Sequence, residues 1–234
     1  MPPPPWPTGT FLARLPDQAR RDLLTLGTLR DYPAGHTLIE QGDRSDLVFV
    51  LMRGLTKVTA ANENGTTALL AVRVRGDVVG DMAAVDGAAR SATVVTCGAT
   101  VARLIKGDAF LAYLRTRPAA ALALATFGGD RLRWANQRRL EFSGYPGDVC
   151  LARLLLTLAA RHGTPGPEGT ELGVPLTQIE LGGLIGAKES TVHKALRDFT
   201  AHGLVHRTGP RRIVITDLPG LLRRADLPPG RDKP

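Results

Sequence analysis

"PLTQIELGGLIGAKESTVHKALRDFTAHGLVHRTGPRRIVITD", which runs from Pro175 to Asp217, is the most informative stretch of the sequence. Near its start, Thr177 followed three residues later by Glu180 is the pattern of a capping box, in which the two residues cap a helix reciprocally. The pattern predicts a short helix over residues 178–185, a turn at Gly186 and a second helix over about 188–202. Two helices joined by a tight glycine-containing turn form a helix-turn-helix.

The second predicted helix has one apolar and one polar face. Apolar residues at spacings of three and four predict its buried face: Val192, Ala195, Leu196 and Phe199. Exposed residues near the start of such a helix are placed to meet base edges in the major groove of DNA. The candidates for these contacts are Lys188, Glu189, Ser190, Thr191, His193 and Lys194.

A β-hairpin is predicted to follow the second helix, within "GLVHRTGPRRIVITD". Its tip carries Thr208, Arg211 and Arg212, which suit contact with phosphate groups. Two neutral helices of an α-helical bundle would show similar periodicity. The capping box, the basic outer face and this wing together favour a winged helix-turn-helix that binds double-stranded DNA.

Composition and charge are consistent with that function. The 234 residues are 43% hydrophobic, which is enough for one large or two ordinary domains with apolar cores. The net charge of +8 favours a polyanionic partner, although a merely basic protein would carry it too. Cys97 and Cys150 belong to no Cys/His cluster, which argues against a metal site and fits a reducing cytosol. No apolar run is long enough to span a bilayer, so we expect a cytoplasmic protein without a membrane partner.

Residues 32–105 indicate a separate all-β domain. Short β-rich runs alternate there with glycine-containing turns, and many short strands at even spacing predict a sandwich, jelly roll or barrel. Asn64-Gly65 predicts a hairpin turn, because both residues tolerate a positive φ. With helices on either side of this region, the predicted fold class is α+β.

Helical periodicity flanks the β region. One short helix is predicted over 10–29, another over 106–113 and a long one over 118–142. The small and apolar residues of the long helix would pack either on the helix's own β domain or on a twin helix, and we favour the dimer seam. The predicted dimer residues are Leu124, Gly128, Leu132 and Ala135. The breaker-rich "SGYPGD" then predicts a hinge, with Asp148 as the N-cap of the following helix.

A second informative stretch, "GDVVGDMAAVDGAARSATVVT" from Gly76 to Thr96, places Arg90 between two apolar runs. Arginine in apolar surroundings needs an anion to pair with it. That anion could be the carboxylate of Asp81, or it could belong to a ligand.

The order of β domain, long helix, hinge and winged helix resembles the cAMP receptor protein family of transcription regulators, the Crp/Fnr superfamily. The resemblance covers about residues 10–217 and rests on the glycines of the β domain, "GDMAAVDGAARSA" and "LTQIELGGLIGAKESTVHKAL". It implies a jelly-roll β-barrel that binds a cyclic nucleotide, a homodimer joined by the long helix, and a near-palindromic operator. RNA polymerase is a further partner that the resemblance implies.

Five segments follow from this resemblance. They are a flexible proline-rich arm over 1–9, an effector-sensing β-barrel domain over 10–117, a dimerisation helix over 118–143, a DNA-binding domain over 144–217 and a C-terminal tail over 218–234. In the tail, residues 218–225 are expected to add a short basic helix and the last residues to be disordered.

The resemblance also implies individual roles. Arg90 would bind the cyclic phosphate, Ser91 would add a hydrogen bond, and Asp81 would accept from the ribose 2′-hydroxyl. Gly80, Met82, Arg131 and Asn136 complete the implied ligand-binding set. Thr177 would contact a DNA phosphate at the start of the first helix.

Three residues depart from the family pattern. Asp81 stands where nucleotide-binding members have glutamate, and Ala135 stands where cAMP-binding members offer a threonine to the adenine. Glu189 stands where an arginine reads guanine, so the operator should differ from the familiar one. We therefore take cAMP as the first candidate effector, with a cyclic dinucleotide or no effector as alternatives.

Two other classes of function compete with a DNA-binding regulator. One is a cyclic-nucleotide-binding module that regulates a protein partner, which the winged helix argues against. The other is an enzyme, but the sequence shows no nucleophile–base pair, P-loop or metal-ligand set.

Overall fold

The structure is a computed structural model that describes residues 6–65, 67–209 and 211–227. Most of the predicted proline-rich arm, one residue of the wing tip and the end of the tail lie outside the described residues. The chain divides into two compact units, Met1–Trp134 and Ala135–Pro234, and the division falls inside the longest helix. The finer boundaries of the five predicted segments stay predictions.

The described part of the first unit combines helices with short strands. Its helices are α1 (Phe11–Arg14), α2 (Asp17–Thr25), α3 (Asp81–Asp86) and α4 (Gly107–Thr116). Its strands are β1 (Thr28–Tyr32), β2 (Thr37–Ile39), β3 (Val48–Arg53), β4 (Leu55–Ala61), β5 (Thr67–Val74), β6 (Val78–Val79), β7 (Thr93–Thr96) and β8 (Thr100–Ile105). The long helix α5 (Pro118–Gly144) begins in this unit and ends in the second.

The strands of the first unit form two four-stranded antiparallel sheets, with the orders β1-β8-β3-β6 and β2-β7-β4-β5. Side chains from both sheets share one apolar cluster, as in a jelly roll of two packed sheets. The hairpin of β4 and β5 pairs Leu55 with Val74. Its turn contains Gly65 with a φ of +76°, which confirms the turn predicted at Asn64-Gly65.

Strand β3 shows why one sheet carries a continuous apolar run. Phe49 and Leu51 belong to the cluster between the two sheets. Val48 and Val50 belong to a second cluster, to which α1, α2, α4 and α5 contribute. Because successive side chains of a strand point to opposite faces, a strand covered on both faces needs apolar residues at every position.

The second unit contains the winged helix-turn-helix. Its elements are the end of α5, α6 (Gly147–His162), β9 (Thr164–Gly166), β10 (Gly169–Glu171), α7 (Gln178–Ile185), α8 (Glu189–Ala201), β11 (Val205–Arg207), β12 (Ile213–Ile215) and α9 (Leu218–Arg224). The strands form one antiparallel sheet in the order β11-β12-β10-β9. Helices α7 and α8 and the β11–β12 wing confirm the prediction, and the four residues predicted to be the inner face of α8 are its buried residues.

The structure corrects two local predictions and adds one hairpin that was not predicted. The first helix is broken at Pro16, the N-cap of α2, and β1 already begins at Thr28. Asp148 lies in the first turn of α6, whose N-cap is Pro146. The sequence does not predict the β9–β10 hairpin, because its glycine- and proline-rich residues lack the alternation of a strand. Helix α9 confirms the basic helix expected in the tail.

Candidate effector site and nucleic-acid interface

The turn between β6 and α3 is built around Gly80. This residue has a φ of +83° at the N-cap of α3, a conformation that favours glycine. A Cβ at this position would lie 2.5 Å from the carbonyl oxygen of Leu47 and 2.9 Å from Nη1 of Arg90. Glycine therefore lets the Arg90 guanidinium approach the backbone closely, and a larger residue would displace it.

Arg90 is almost completely buried, with 4% of its surface exposed. Its Nη1 donates to the carbonyl of Gly80 at 2.8 Å and its Nη2 to the carbonyl of Leu47 at 2.6 Å. Its Nη2 also donates to Oγ of Ser45 at 3.4 Å, and the buried Nε–H has no hydrogen-bond partner. The carboxylates of Asp43, Asp46 and Asp81 act on the guanidinium through space, but none of the described carboxylates forms a direct ion pair with it. Burial lowers the pKa of Arg90. The turn thus holds a buried positive charge that an anion would stabilise.

Asp81 pairs with Arg131 rather than with Arg90. Nη1 of Arg131, on α5, donates to Oδ1 and Oδ2 of Asp81 at 3.2 Å and 3.1 Å. The Asp81 side chain is 8% exposed and that of Arg131 is 24% exposed. The interpretation in which Asp81 is the ion-pair partner of Arg90 is therefore wrong. The carboxylate expected to meet a ribose hydroxyl already accepts hydrogen bonds within the chain.

The other residues implied for ligand binding are exposed. Met82 lies on the outer side of α3 with 54% of its surface exposed, and Ser91 is exposed next to Arg90 in sequence. Asn136 and Ala135 lie on α5 beyond the division between the two units, and both are exposed. The residues that the structure brings together at the turn are Gly80, Asp81, Arg90 and Arg131.

Helix α5 has a buried and an exposed face. The buried residues are Ala120, Ala123 and Phe127. Leu124 is half-buried against the same core of the first unit, and its role as a dimer residue stays a prediction. Leu122, Leu132 and Leu140 are 67%, 62% and 67% exposed. We call the side of α5 that carries these exposed leucines its open face. It differs from the predicted dimer stripe, with which it shares Leu132.

The predicted capping box is present at the start of α7. Oγ1 of Thr177 accepts from the N–H of Glu180 at 3.2 Å, and the N–H of Thr177 donates to Oε2 of Glu180 at 2.8 Å. The helix ends at Gly186, whose φ is +64°. Near this end, Nε of Arg138 on α5 donates to the carbonyl of Leu184 at 2.7 Å. Helix α7 is thus held at both ends, and α5 supplies one of the contacts.

The residues predicted to meet DNA are all exposed at the start of α8 or just before it. They are Lys188, Glu189, Ser190, Thr191, His193 and Lys194. On one flank, Thr191 packs beside the start of α6, where a Cβ on Gly147 would come within 2.7 Å of its Cγ2. On the other flank, Nδ1 of His193 lies 3.2 Å from Oε1 of Gln178 on α7. By helical spacing, Ser190 and Lys194 lie near the centre of the exposed face.

One of the two arginines at the wing tip forms an ion pair. Nε and Nη2 of Arg212 donate to Oε1 and Oε2 of Glu171 on β10, each at 2.8 Å. These hydrogen bonds raise the pKa of Arg212 and lower that of Glu171. A phosphate contact by Arg212 would compete with this carboxylate. Arg211 and Thr208 are exposed near the tip, and their predicted contacts stay predictions.

Neither a metal centre nor a membrane span is found in the part of the chain that the structure describes. No three His, Cys, Asp or Glu side chains lie close enough together there to hold a metal ion. None of its helices has the length and apolar character needed to cross a membrane.

Comparison with known proteins assigns both halves of the chain. Residues 29–117 match the cyclic nucleotide-binding domain, and residues 151–224 match the Crp-like helix-turn-helix domain. The CRP-like cAMP-activated global transcriptional regulator of Mycobacterium tuberculosis is 31% identical over 197 residues, covering 83% of this chain and 87% of that protein. The cAMP-activated global transcriptional regulator CRP of Salmonella typhimurium is 25% identical over 190 residues, covering 80% and 89%.

A solved structure gives the same fold. The c-di-GMP responsive global regulator CLP of Xanthomonas campestris aligns with a TM-score of 0.74 at 18% identity, covering 86% of this chain and 100% of that one. The two domains occur in the order that the sequence analysis predicted. This chain belongs to the Crp/Fnr family of transcription regulators.

Proposed function

We propose that the chain acts as a homodimer whose binding to a near-palindromic operator is switched by a cyclic nucleotide in the β domain. The observation that carries the proposal is the buried guanidinium of Arg90, which donates to backbone carbonyls and keeps an unpartnered Nε–H. A cyclic phosphate would supply the missing anion through charge-assisted hydrogen bonds. Ser91, exposed and adjacent in sequence, would add a hydroxyl donor.

cAMP is the first candidate effector, since the relative from Mycobacterium tuberculosis is a cAMP-activated regulator. A cyclic dinucleotide is the second, because the Xanthomonas campestris regulator of the same fold responds to c-di-GMP. Asp81 is bonded to Arg131, and Ala135 has no hydroxyl for a base. Both features remove contacts to the ribose and the base rather than to the phosphate, so we expect weak discrimination between bases.

In the proposed switch, α5 carries the effect of the ligand, because it begins in the unit that holds Arg90 and ends in the unit that holds α8. Near its end, Phe142 packs on the turn of the helix-turn-helix, with a ring atom 3.0 Å from where a Cβ on Gly186 would lie. A shift of this part of α5 would therefore displace the turn. We assign the chain no catalytic role, expect it in the cytoplasm with its DNA, and take RNA polymerase as a further partner.

Replacing Lys194 with alanine tests the DNA interface. We expect operator affinity to fall by about 1–3 kcal/mol, because a lysine at the centre of the recognition face contacts a base or a phosphate. Fluorescence anisotropy with a labelled operator, selected from random duplexes by the purified protein, measures the change. Lys106→Ala is the matched control, since Lys106 is an exposed lysine of the first unit. Unchanged affinity for Lys194→Ala would refute the role of α8.

The dimer seam is tested at the glycines of α5. Heptad spacing from Leu122 places Ala125, Gly129 and Leu132 on the open face. Within one chain, a Cβ on Gly129 would meet only the end of the Arg133 side chain, at 3.5 Å. A Cβ on Gly128, at the flank of this face, would meet nothing within 4 Å. The isolated chain therefore tolerates alanine at both positions, with a gain of about 1 kcal/mol in helix propensity.

We expect Gly129→Ala to weaken the dimer by about 1–3 kcal/mol, because added methyl groups overpack a close helix–helix contact. Gly128→Ala, with the same gain in propensity, is the comparison. The sequence predicts Gly128 as a dimer residue, but heptad spacing from Leu122 places it at the flank of the face, so its effect on dimerisation should be the smaller of the two. Sedimentation velocity over a dilution series measures both. Equal dimer affinity for the two variants and the original chain would contradict a seam along this face.

A further inference from the structure

The pair formed by Gln178 and His193 joins the two helices of the helix-turn-helix at the face proposed to meet DNA. Gln178 is the first residue of α7, and the capping box of Thr177 and Glu180 fixes the backbone there. His193 lies on the exposed face of α8, on the flank nearest to Gln178. Oε1 of Gln178 and Nδ1 of His193 are 3.2 Å apart.

The chemistry of the two groups determines what His193 offers to DNA. In this orientation of the Gln178 amide, the nitrogen that faces Oε1, Nδ1, carries the hydrogen, because an amide oxygen can only accept a hydrogen bond. A neutral imidazole with its hydrogen on Nδ1 has a lone pair on Nε2, which becomes an acceptor. Without the amide, either nitrogen could carry the hydrogen, and His193 could present a donor or an acceptor.

The major groove distinguishes these two states. Adenine and cytosine present amine donors there, whereas guanine and thymine present carbonyl acceptors. An acceptor at Nε2 therefore suits adenine or cytosine and disfavours guanine or thymine. The neighbouring Lys194 is a pure donor and has the opposite preference.

We propose that Gln178 is a positioning residue for base recognition: by accepting from Nδ1 of His193 it favours the tautomer whose Nε2 is an acceptor, and so favours an amine-bearing base at one position of each half-site. The inference rests on the proposed role of α8 as the helix that reads base edges. Gln178 needs no contact with DNA for this effect.

The test uses the full-length protein and a library of duplexes with a randomised central segment. The original chain is expected to select adenine or cytosine at one position by about 3- to 10-fold, the contribution of one hydrogen bond. His193→Ala and Gln178→Leu should each flatten the preference at that position alone. Gln178→Glu keeps an acceptor facing Nδ1 and should retain the base preference at that position.

The double variant separates a positioning role from direct contact. If Gln178 acts through His193, adding Gln178→Leu to His193→Ala should change nothing further. A further loss in the double variant, or a uniform loss over all bases, would overturn the proposal, because it would mean that Gln178 itself contacts DNA. Lys194→Ala, measured in parallel, tests the proposed function separately. If Lys194→Ala leaves operator binding unchanged, α8 does not read the operator.

Discussion

Replacing Arg90 with alanine is expected to lower affinity for the activating cyclic nucleotide by about 10- to 150-fold, the range for a hydrogen-bonded charge. The ligand should then no longer stimulate DNA binding, whereas DNA binding without ligand should be unchanged. The expectation follows from the guanidinium's burial and from its lack of an ion pair among the described residues. Isothermal titration calorimetry and operator binding with and without ligand measure the two effects.

Arg103→Ala is the matched control for this variant. Nη1 of Arg103 also donates to a backbone carbonyl, that of Leu26 at 2.9 Å, and its buried Nε likewise has no partner. Its loss should cost stability without changing ligand affinity. If Arg90→Ala responded normally to ligand, or if both variants lost affinity equally, the assignment of the effector site to the Gly80 turn would be refuted.

Replacing Arg131 with alanine should lower the free energy of unfolding of the first unit by about 3 kcal/mol, the low end for a broken buried pair. The low end of this range of stability losses applies because the Arg131 side chain is 24% exposed. A loss is still expected because the Asp81 side chain is only 8% exposed. The change leaves the Asp81 carboxylate without its ion-pair partner. Thermal and urea unfolding of the purified protein measure the loss.

Adding Asp81→Asn to Arg131→Ala should restore most of the lost stability, because the neutral amide removes the unpaired buried charge. Arg133→Ala is the control on the same helix, since Arg133 is 73% exposed and pairs with Asp130 at the surface. Its effect should be under about 1 kcal/mol. An Arg131→Ala protein as stable as the original, or one that Asp81→Asn does not rescue, would show that the pair does not hold α5 to the turn.

The helix-turn-helix could be predicted closely from the sequence because its signals are local. The capping box at Thr177, the left-handed Gly186 and the apolar stripe of α8 each act within a few residues. The β9–β10 hairpin could not be predicted, because it is completed by pairing of β10 with the distant β12. The contact of Leu124 with the core of the first unit could not be predicted, because that core is formed from residues far apart in sequence.

The candidate site was predictable in its residues but not in their pairing. The apolar residues around Arg90 identified the arginine as a candidate. Its backbone partners, the carbonyls of Gly80 and Leu47, could not be predicted, because a sequence does not show where backbone carbonyls lie in the fold. The pairing of Asp81 with Arg131 joins residues 50 apart in the chain. Glu171 and Gln178 were missed for the same reason, since an exposed polar residue shows its partner only when the fold brings the two together.

The most direct test of a ligand-switched regulator is operator binding by the full-length dimer without ligand and with saturating cAMP, cGMP or cyclic di-GMP. At least one of these ligands is expected to raise operator affinity by about 5- to 150-fold, the range of ordinary allosteric coupling, and Arg90→Ala is expected to abolish the gain. Equal operator affinity under all four conditions, in a protein that is folded and dimeric, would contradict this expectation.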